Sequence, residues 1–468
     1  MSQPWTIDDL QAWDERIQAV SADFGLDWFD QQFTLCDHVE MLGAMAYSGM
    51  PAHYPHWSYG KAFEKQKTLY DYGVSGLPYE MVINSNPSIG YLMSENTLCL
   101  QILTIAHVYG HNDFFKNNFT FRHTRPDDRL ARVKLNAERV RKYIEDPSIG
   151  IDAVEEVLDA AHALSLQCRR NTGVRKLSPE EQRRHAAERA APPADPFAAI
   201  HKPAEPAEPA LDKIPLEPEE DLLLMIRDHN RQLADWQRDL LTIVHEDAQY
   251  FIPQIETKII NEGWATFCHR ETLNALGLPA ELHLEFLVRH NQVIRPIPGD
   301  INPYHVGLKI WDSLAEKFRA EHDEKTARKK LLAIRESERD SSFLRRFLTE
   351  ELIRELDLFE YVPKGNKLVI SKVADEEGWR QVKDVLIRNV GMGGIPVIRV
   401  HDIDFGGARV LYLEQDHDGR DLNLHHAEHT LRHLYTLWGR EVVLGCVIDD
   451  KQMLLGYSEE GFSTRPAN

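Results

Sequence analysis

Ala106-His107-Val108-Tyr109-Gly110-His111-Asn112-Asp113-Phe114-Phe115 lies inside a segment, about 96–116, whose apolar periodicity predicts a helix. His107 and His111 stand four apart, so on a helix they share a face and can grip one metal ion. The spacing alone is weak evidence, because 22 histidines in 468 residues meet it by chance. His425/His429 and His429/His433 repeat it on a later segment with a plain amphipathic stripe of Leu424, Ala427, Leu431, Leu434 and Trp438. Those histidines read as surface or domain-contact residues.

Two features around His107 and His111 raise them above that background. Short strands are predicted at 79–84 and 89–93, separated by the turn residues Asn84-Ser85-Asn86-Pro87. An edge strand beside a two-histidine helix is the arrangement of zincin-type metallohydrolases. Downstream, Ile260-Asn261-Glu262-Gly263-Trp264-Ala265-Thr266-Phe267-Cys268-His269 looks like the second metal helix of gluzincin aminopeptidases. There Glu262 would be the third ligand, and two histidines with one carboxylate leave a position open for water or substrate. Zinc is the first choice for such a set, with iron and manganese open. His269 stands seven residues after Glu262 on the same face, as a fourth ligand or proton donor.

The general base is the difficulty. Zincins carry HExxH, whose Glu accepts a proton, and Val108 occupies that position here. Glu246 and His269 are assigned to proton transfer, with Asp113 and His56 as further candidates. Gln254, Lys258 and Glu262 recur every four residues, a pattern that reads as a solvated face or as a polar stripe inside the fold. The rival to a metal centre is a buried polar network of core histidines on packed helices.

Working outward, the chain reads as a mainly α, zincin-like N-terminal region with few short strands, followed by a small C-terminal α/β domain. The expected segments are a helical region at 1–168 and a Pro/Ala-rich linker or insert at 169–218. A helical stretch at 219–340 completes the N-terminal domain, and a repeated β-β-α order fills 343–460. Prolines at 192, 193, 196, 203, 206, 209, 215 and 218 cannot sit in a helix or central strand, so the insert is expected to be exposed and partly disordered. Gly391-Met392-Gly393-Gly394 follows a helix and precedes a strand, the reverse of a phosphate loop, so it reads as a cap and turn.

A net charge of −20 disfavours broad binding to nucleic acid or an anionic membrane. No run of about 20 apolar residues is present, so no membrane span is expected. The first residues lack a basic stretch followed by an apolar one, so no secretory signal is expected. The five cysteines are far apart and free of CxxC spacing, which fits reduced thiols and a cytoplasmic location.

Several segments together resemble the SpoVR family, the stage V sporulation protein R group. They are Tyr54-Pro55-His56-Trp57-Ser58 with Gly60-Lys61, Tyr79-Glu80 with Ile83-Asn84-Ser85-Asn86-Pro87, and Thr104 to Asn118. Pro253-Gln254 through Asn261-Glu262-Gly263-Trp264-Ala265, and Gly391 to Asp402, complete the match. The resemblance implies a link to the spore cortex and cell envelope, or to stress responses in bacteria that make no spores. It also implies partners encoded nearby, a serine protein kinase and a protein with a von Willebrand-type domain. It implies no particular reaction. Two functional readings therefore stand: a metal-dependent hydrolase, or a regulatory scaffold on a degenerate metallohydrolase fold.

Overall fold

The structure is a computed structural model describing residues 5–74, 76–170, 175–190, 213–297, 300–358, 360–364, 367–372 and 378–467. The Pro/Ala-rich part of the expected insert, 191–212, lies outside the described residues.

In chain order, α1 (Ile7–Phe24), β1 (Gln31–Cys36), α2 (His38–Ala46), α3 (Trp57–Asp71), β2 (Met81–Ile83), β3 (Ser88–Met93) and α4 (Leu98–Asn117) come first. They are followed by α5 (Arg129–Glu145), α6 (Gly150–Leu164), α7 (Pro179–Ala190), α8 (Leu222–His229) and α9 (Asp235–Glu256). Next are α10 (Lys258–Ala275), α11 (Ala280–Val293), α12 (Pro303–Glu321), α13 (Glu324–Ser337), α14 (Asp340–Phe347) and α15 (Glu350–Glu355). The chain closes with β4 (Glu360–Lys364), β5 (Lys367–Lys372), α16 (Gly378–Asn389), β6 (Val397–Phe405), β7 (Val410–Asp416), α17 (Leu424–Trp438), β8 (Val442–Ile448), β9 (Lys451–Ser458) and β10 (Gly461–Pro466).

These elements form two compact units, each discontinuous in sequence. The first takes residues 1–141 and 250–394, the second 142–249 and 395–468. No helix among the described residues is long and apolar enough to cross a membrane.

The second unit ends in a five-stranded sheet of order β10-β9-β8-β7-β6. Its strands pair antiparallel except β7 and β8, which run parallel and are joined by α17. This helix buries Ala427, Leu431, Leu434, Leu437 and Trp438, whereas Leu424, read as part of the stripe, is exposed. The β-β-α order expected after residue 343 is present, but β4 and β5 form a two-stranded sheet of their own. The glycine run forms a short 3-10 turn at Gly391–Gly394 between α16 and β6.

The first unit is built around α4. This helix is buried on every side from Gln101 to Phe115, its polar side chains included. Ile102, Leu103 and Ala106 pack with Leu10 and Ile17 of α1 and with Leu273. At its C-terminal end, Phe114 and Phe115 join a second cluster with Trp264, Phe267, Trp311 and Phe343. A three-stranded sheet of order β1-β3-β2 lies beside it, with β2 at an edge, antiparallel to β3. β1 runs parallel to β3, and the sequence reading had no strand there.

Most buried polar side chains on α4 find partners, as burial requires. Gln101 Nε2 donates to Met93 O at 2.7 Å, Tyr109 OH donates to Asp14 Oδ1 at 2.8 Å, and Asn112 exchanges two hydrogen bonds with the Phe29 backbone. At the start of α10, Asp340 accepts from the amides of Ile259 and Ile260 at 3.0 and 2.8 Å.

Two glycine contacts set the helix spacing. A Cβ on Gly110 of α4 would lie 2.7 Å from Ala265 Cα of α10. A Cβ on Gly263 would lie 2.4 Å from the Gly307 carbonyl carbon of α12, so backbone itself would have to move. Gly263→Val is therefore expected to lose about 1–3 kcal/mol or more through overpacking, read as a lower urea midpoint. A variant as stable as the parent would mean that α10 and α12 do not meet at this point.

Candidate metal centre

Four residues from three elements of the first unit converge. Glu80 sits immediately before β2, His107 and His111 project from one face of α4, and Glu262 comes from α10 beside the Gly263 contact. His107 Nε2 lies 3.0 Å from His111 Nε2 and 2.9 Å from Glu80 Oε2. Glu262 Oε2 lies 3.3 Å from His111 Nε2 and 3.8 Å from His107 Nε2. One ligand-type atom from each of the four residues lies within 4.8 Å of all the others. Glu80 Oε2 and Glu262 Oε2 are buried without a hydrogen-bond partner outside the group. Two carboxylate oxygens and two imidazole nitrogens facing one point form a donor set that fits a divalent ion.

Behind the four stands a supporting layer. His111 Nδ1 meets Asn261 Oδ1 at 2.9 Å, so it carries a proton there and leaves Nε2 to the cluster. His107 Nδ1 meets His269 Nδ1 at 2.8 Å, and His269 Nε2 meets His290 Nδ1 of α11 at 2.9 Å. With His107 Nε2 given to the cluster, its Nδ1 donates to His269, which donates in turn to His290. Tyr304, at the start of α12, donates its hydroxyl to Glu80 Oε1 at 2.9 Å.

The electrostatics follow from burial and proximity. Burial opposes ionisation of Glu80, yet His107 and His111 beside it hold its carboxyl well below the usual range. Glu262 is likewise opposed by burial and lowered by His111. Burial would lower His111, but Glu262 and Glu80 outweigh it and lift the imidazole to about 10. His269 is pushed well below its ordinary value, first by burial and then by His107 and His290, so it is neutral. Tyr304 is pushed well above its ordinary value by burial, Glu262 and Glu80, and keeps its proton.

The centre opens on one side. A cavity of about 510 Å³ is lined by Glu80, His111, Glu262 and Tyr304, with Gln254 and Lys258 on the same wall. Two further cavities, of about 640 and 430 Å³, also reach Tyr304, one beside Glu262 and one beside Glu80.

Of the residues singled out in the sequence, His107, His111, Glu262 and His269 come together. Glu246 is on α9, in the segment assigned to the second unit, and is not one of the four. His56 caps α3, its Nδ1 bonded to Ser58. Asp113 is buried and taken up by structure: it accepts from Trp264 Nε1 at 2.9 Å and from the Asp27 amide at 2.8 Å, and pairs with Arg335 of α13 at 3.2 Å. Glu80, Tyr304, Asn261 and His290 had no assigned role. Glu80 stands within a segment that resembles the family, and no spacing rule ties it to α4.

Asp113 also supplies a pH test. Burial raises its carboxyl to about 6, with Arg335 limiting the rise. Its folded value lies above the ordinary one, so its contribution to stability is full at low pH and declines as pH rises through about 6. Arg335→Met should cost about 3–5 kcal/mol at pH 8, where a buried carboxylate loses its partner, and clearly less at pH 5, by urea unfolding. Equal losses at both pH values would mean that Arg335 does not act through its charge.

Comparison with known proteins agrees with the sequence resemblance. The family model described as SpoVR like protein matches residues 4–395, and the one described as SpoVR-like C-terminal domain matches 396–449. The seam between them coincides with the last boundary between the two compact units, after Gly394. A protein of Escherichia coli (strain K12) carrying the name "Uncharacterized protein YcgB" is 33% identical over 479 residues, covering 94% of this chain and 92% of its own. No solved structure matches the chain.

Proposed function

This chain belongs to the SpoVR family, and on that premise we propose that it is a metal-dependent hydrolase with a zincin-like centre. The observation that carries the proposal is the meeting of Glu80, His107, His111 and Glu262 within 4.8 Å at the wall of an open cavity. Two of their carboxylate oxygens are buried without a hydrogen bond to any residue outside the group. His107, His111 and Glu262 hold the ion, zinc by first choice, and the bound ion supplies Lewis acidity toward a carbonyl or an attacking water.

Glu80 takes the place that Val108 leaves vacant in the HExxH pattern. It is ionised, faces the centre, and is oriented by the Tyr304 hydroxyl, so it can accept the proton of an attacking water. Tyr304 stays protonated and is a hydrogen-bond donor beside the reacting position. His269 acts through His107, fixing its tautomer, and Glu246 has no part in this arrangement. An amide or peptide substrate follows by analogy with zincins. The setting implied by the family is cytoplasmic, in spore cortex or envelope work or in stress, beside a serine protein kinase and a von Willebrand-type partner.

Plasma mass spectrometry on untagged protein purified without chelator tests the centre. The parent should carry about one equivalent of a divalent ion, with His107→Ala and Glu262→Ala carrying none. Glu80→Gln should keep most of the ion, because Glu80 is assigned a proton and not a coordination bond. No ion in the parent, with all variants equally stable, would sink the proposal and leave a polar core.

Uptake should also depend on pH. His111 holds its proton up to about 10 in the ion-free cluster, and a ligand imidazole must be neutral. Binding therefore releases about one proton, and affinity should climb by up to roughly tenfold per pH unit between 6 and 8. Calorimetry in buffers of different ionisation enthalpy reads the released proton directly.

Val108 favours the second reading, a regulatory scaffold on a degenerate fold, since it is fully buried where zincins keep their base. Under that reading Glu80→Gln leaves cellular function intact, while removing residues 395–468 abolishes it.

A further inference from the structure

Charge around the centre is distributed unlike charge in the rest of the chain. The protein carries 74 acidic and 54 basic residues. In the three cavities that meet Tyr304, the acidic wall residues are Glu80 and Glu262, both members of the metal group. The remaining charged wall residues, apart from His111, are Lys258, Arg289 and Arg295, all cationic. Arg289 is paired with Glu285 at 3.5 Å. Among the described residues neither Lys258 nor Arg295 has a side-chain ion pair, and both are exposed.

Their placement is fixed by the same elements that build the centre. Lys258 opens α10 and precedes Glu262 by four residues, one helical turn of about 5–6 Å along the same face. It lines two of the cavities, in each case together with Glu262 and Tyr304. Arg295 lies on the segment between α11 and α12, which buried Asn302 clamps. The Asn302 Nδ2 donates to Val293 O and to Arg295 O, both at 2.8 Å. Its Oδ1 accepts from the Tyr304 amide at 3.0 Å, so one side chain ties the backbone of Arg295 to the start of the Tyr304 helix. Arg295, Lys258, Glu262 and Tyr304 line one cavity of about 640 Å³.

We propose that the substrate carries an anionic group, carboxylate or phosphoryl, one residue-length from its reacting bond, and that Lys258 and Arg295 bind it. This rests on the metal-centre reading above and names the substrate class for that site. Two cations beside a cavity in an acidic protein raise the local concentration of anions and reject acidic patches of the protein's own kind. The guanidinium can take either group with two parallel hydrogen bonds, and the ammonium adds a point charge.

Hydroxamates test this without a known substrate, since the hydroxamate end grips the ion and the tail reports the wall. Affinities of zinc-loaded protein are measured by calorimetry for acetohydroxamic acid, succinic acid monohydroxamate and phosphonoacetohydroxamic acid. At least one charged probe should bind about tenfold or more tightly than the neutral one, and the margin should shrink with added salt. The better of the two charged tails tells carboxylate from phosphoryl. Lys258→Gln with Arg295→Gln should erase the margin while keeping the zinc and the affinity for acetohydroxamic acid. Equal binding of all three probes, or a margin that survives in the double variant, overturns the inference and leaves the metal centre standing. Parent protein that takes up no zinc overturns both.

Discussion

The contact on which the rest depends is the approach of α10 to α4 at Gly110 and Ala265, continued to α12 at Gly263 and Gly307. A side-chain carbon at either glycine would collide with backbone. Because the helices can come this close, Glu262, next in sequence to Gly263, reaches the two histidines of α4. The same approach puts Trp264 against Asp113 and sets Tyr304 over Glu80. Packing density thus decides chemistry here: interiors are close-packed, and a displacement of one carbon's width would pull the group apart.

Bringing two carboxylates and two imidazoles into the interior is expensive unless each is satisfied. The outer nitrogens are, through Asn261 and through the line from His107 to His269 and His290. The inward carboxylate oxygens meet ring nitrogens of the cluster itself and no group outside it, and that asymmetry is what separates the cluster from an ordinary buried network. Asp113, two residues from His111, shows the contrast. It is equally buried, yet it is used up by an indole, an amide and a guanidinium, and faces no cavity described above.

Much of this was legible in the sequence because helical spacing is a strong constraint. His107 and His111 had to share a face, and Glu262 stood in a segment long enough to carry a likeness. The amphipathic and apolar runs placed most helices, and short apolar runs such as that of β8 marked the C-terminal strands. Other parts had no local signature. Glu80 precedes a strand of three residues, too short for alternation to place its side chain. Tyr304 follows a loop, and its role depends on where α12 packs. β1, Gln-Gln-Phe-Thr-Leu-Cys, alternates only from Gln32 to Leu35, too short a run to stand out, and is recognised through its pairing with β3. Glu246 attracted attention as a carboxylate beside a histidine in sequence, but neighbours in a helix point to different faces.

The interleaving of the two units has a consequence for synthesis. His111 and Glu262 are separated by 151 residues, most of which belong to the other unit. At about 5–20 residues per second, a ribosome delivers the carboxylate roughly 8–30 s after the imidazoles. During that interval α4 lacks the helix that covers it, and its two imidazoles stand without the Glu262 carboxylate. Assembly of the four-residue group is therefore a late event in the life of the nascent chain, gated by translation.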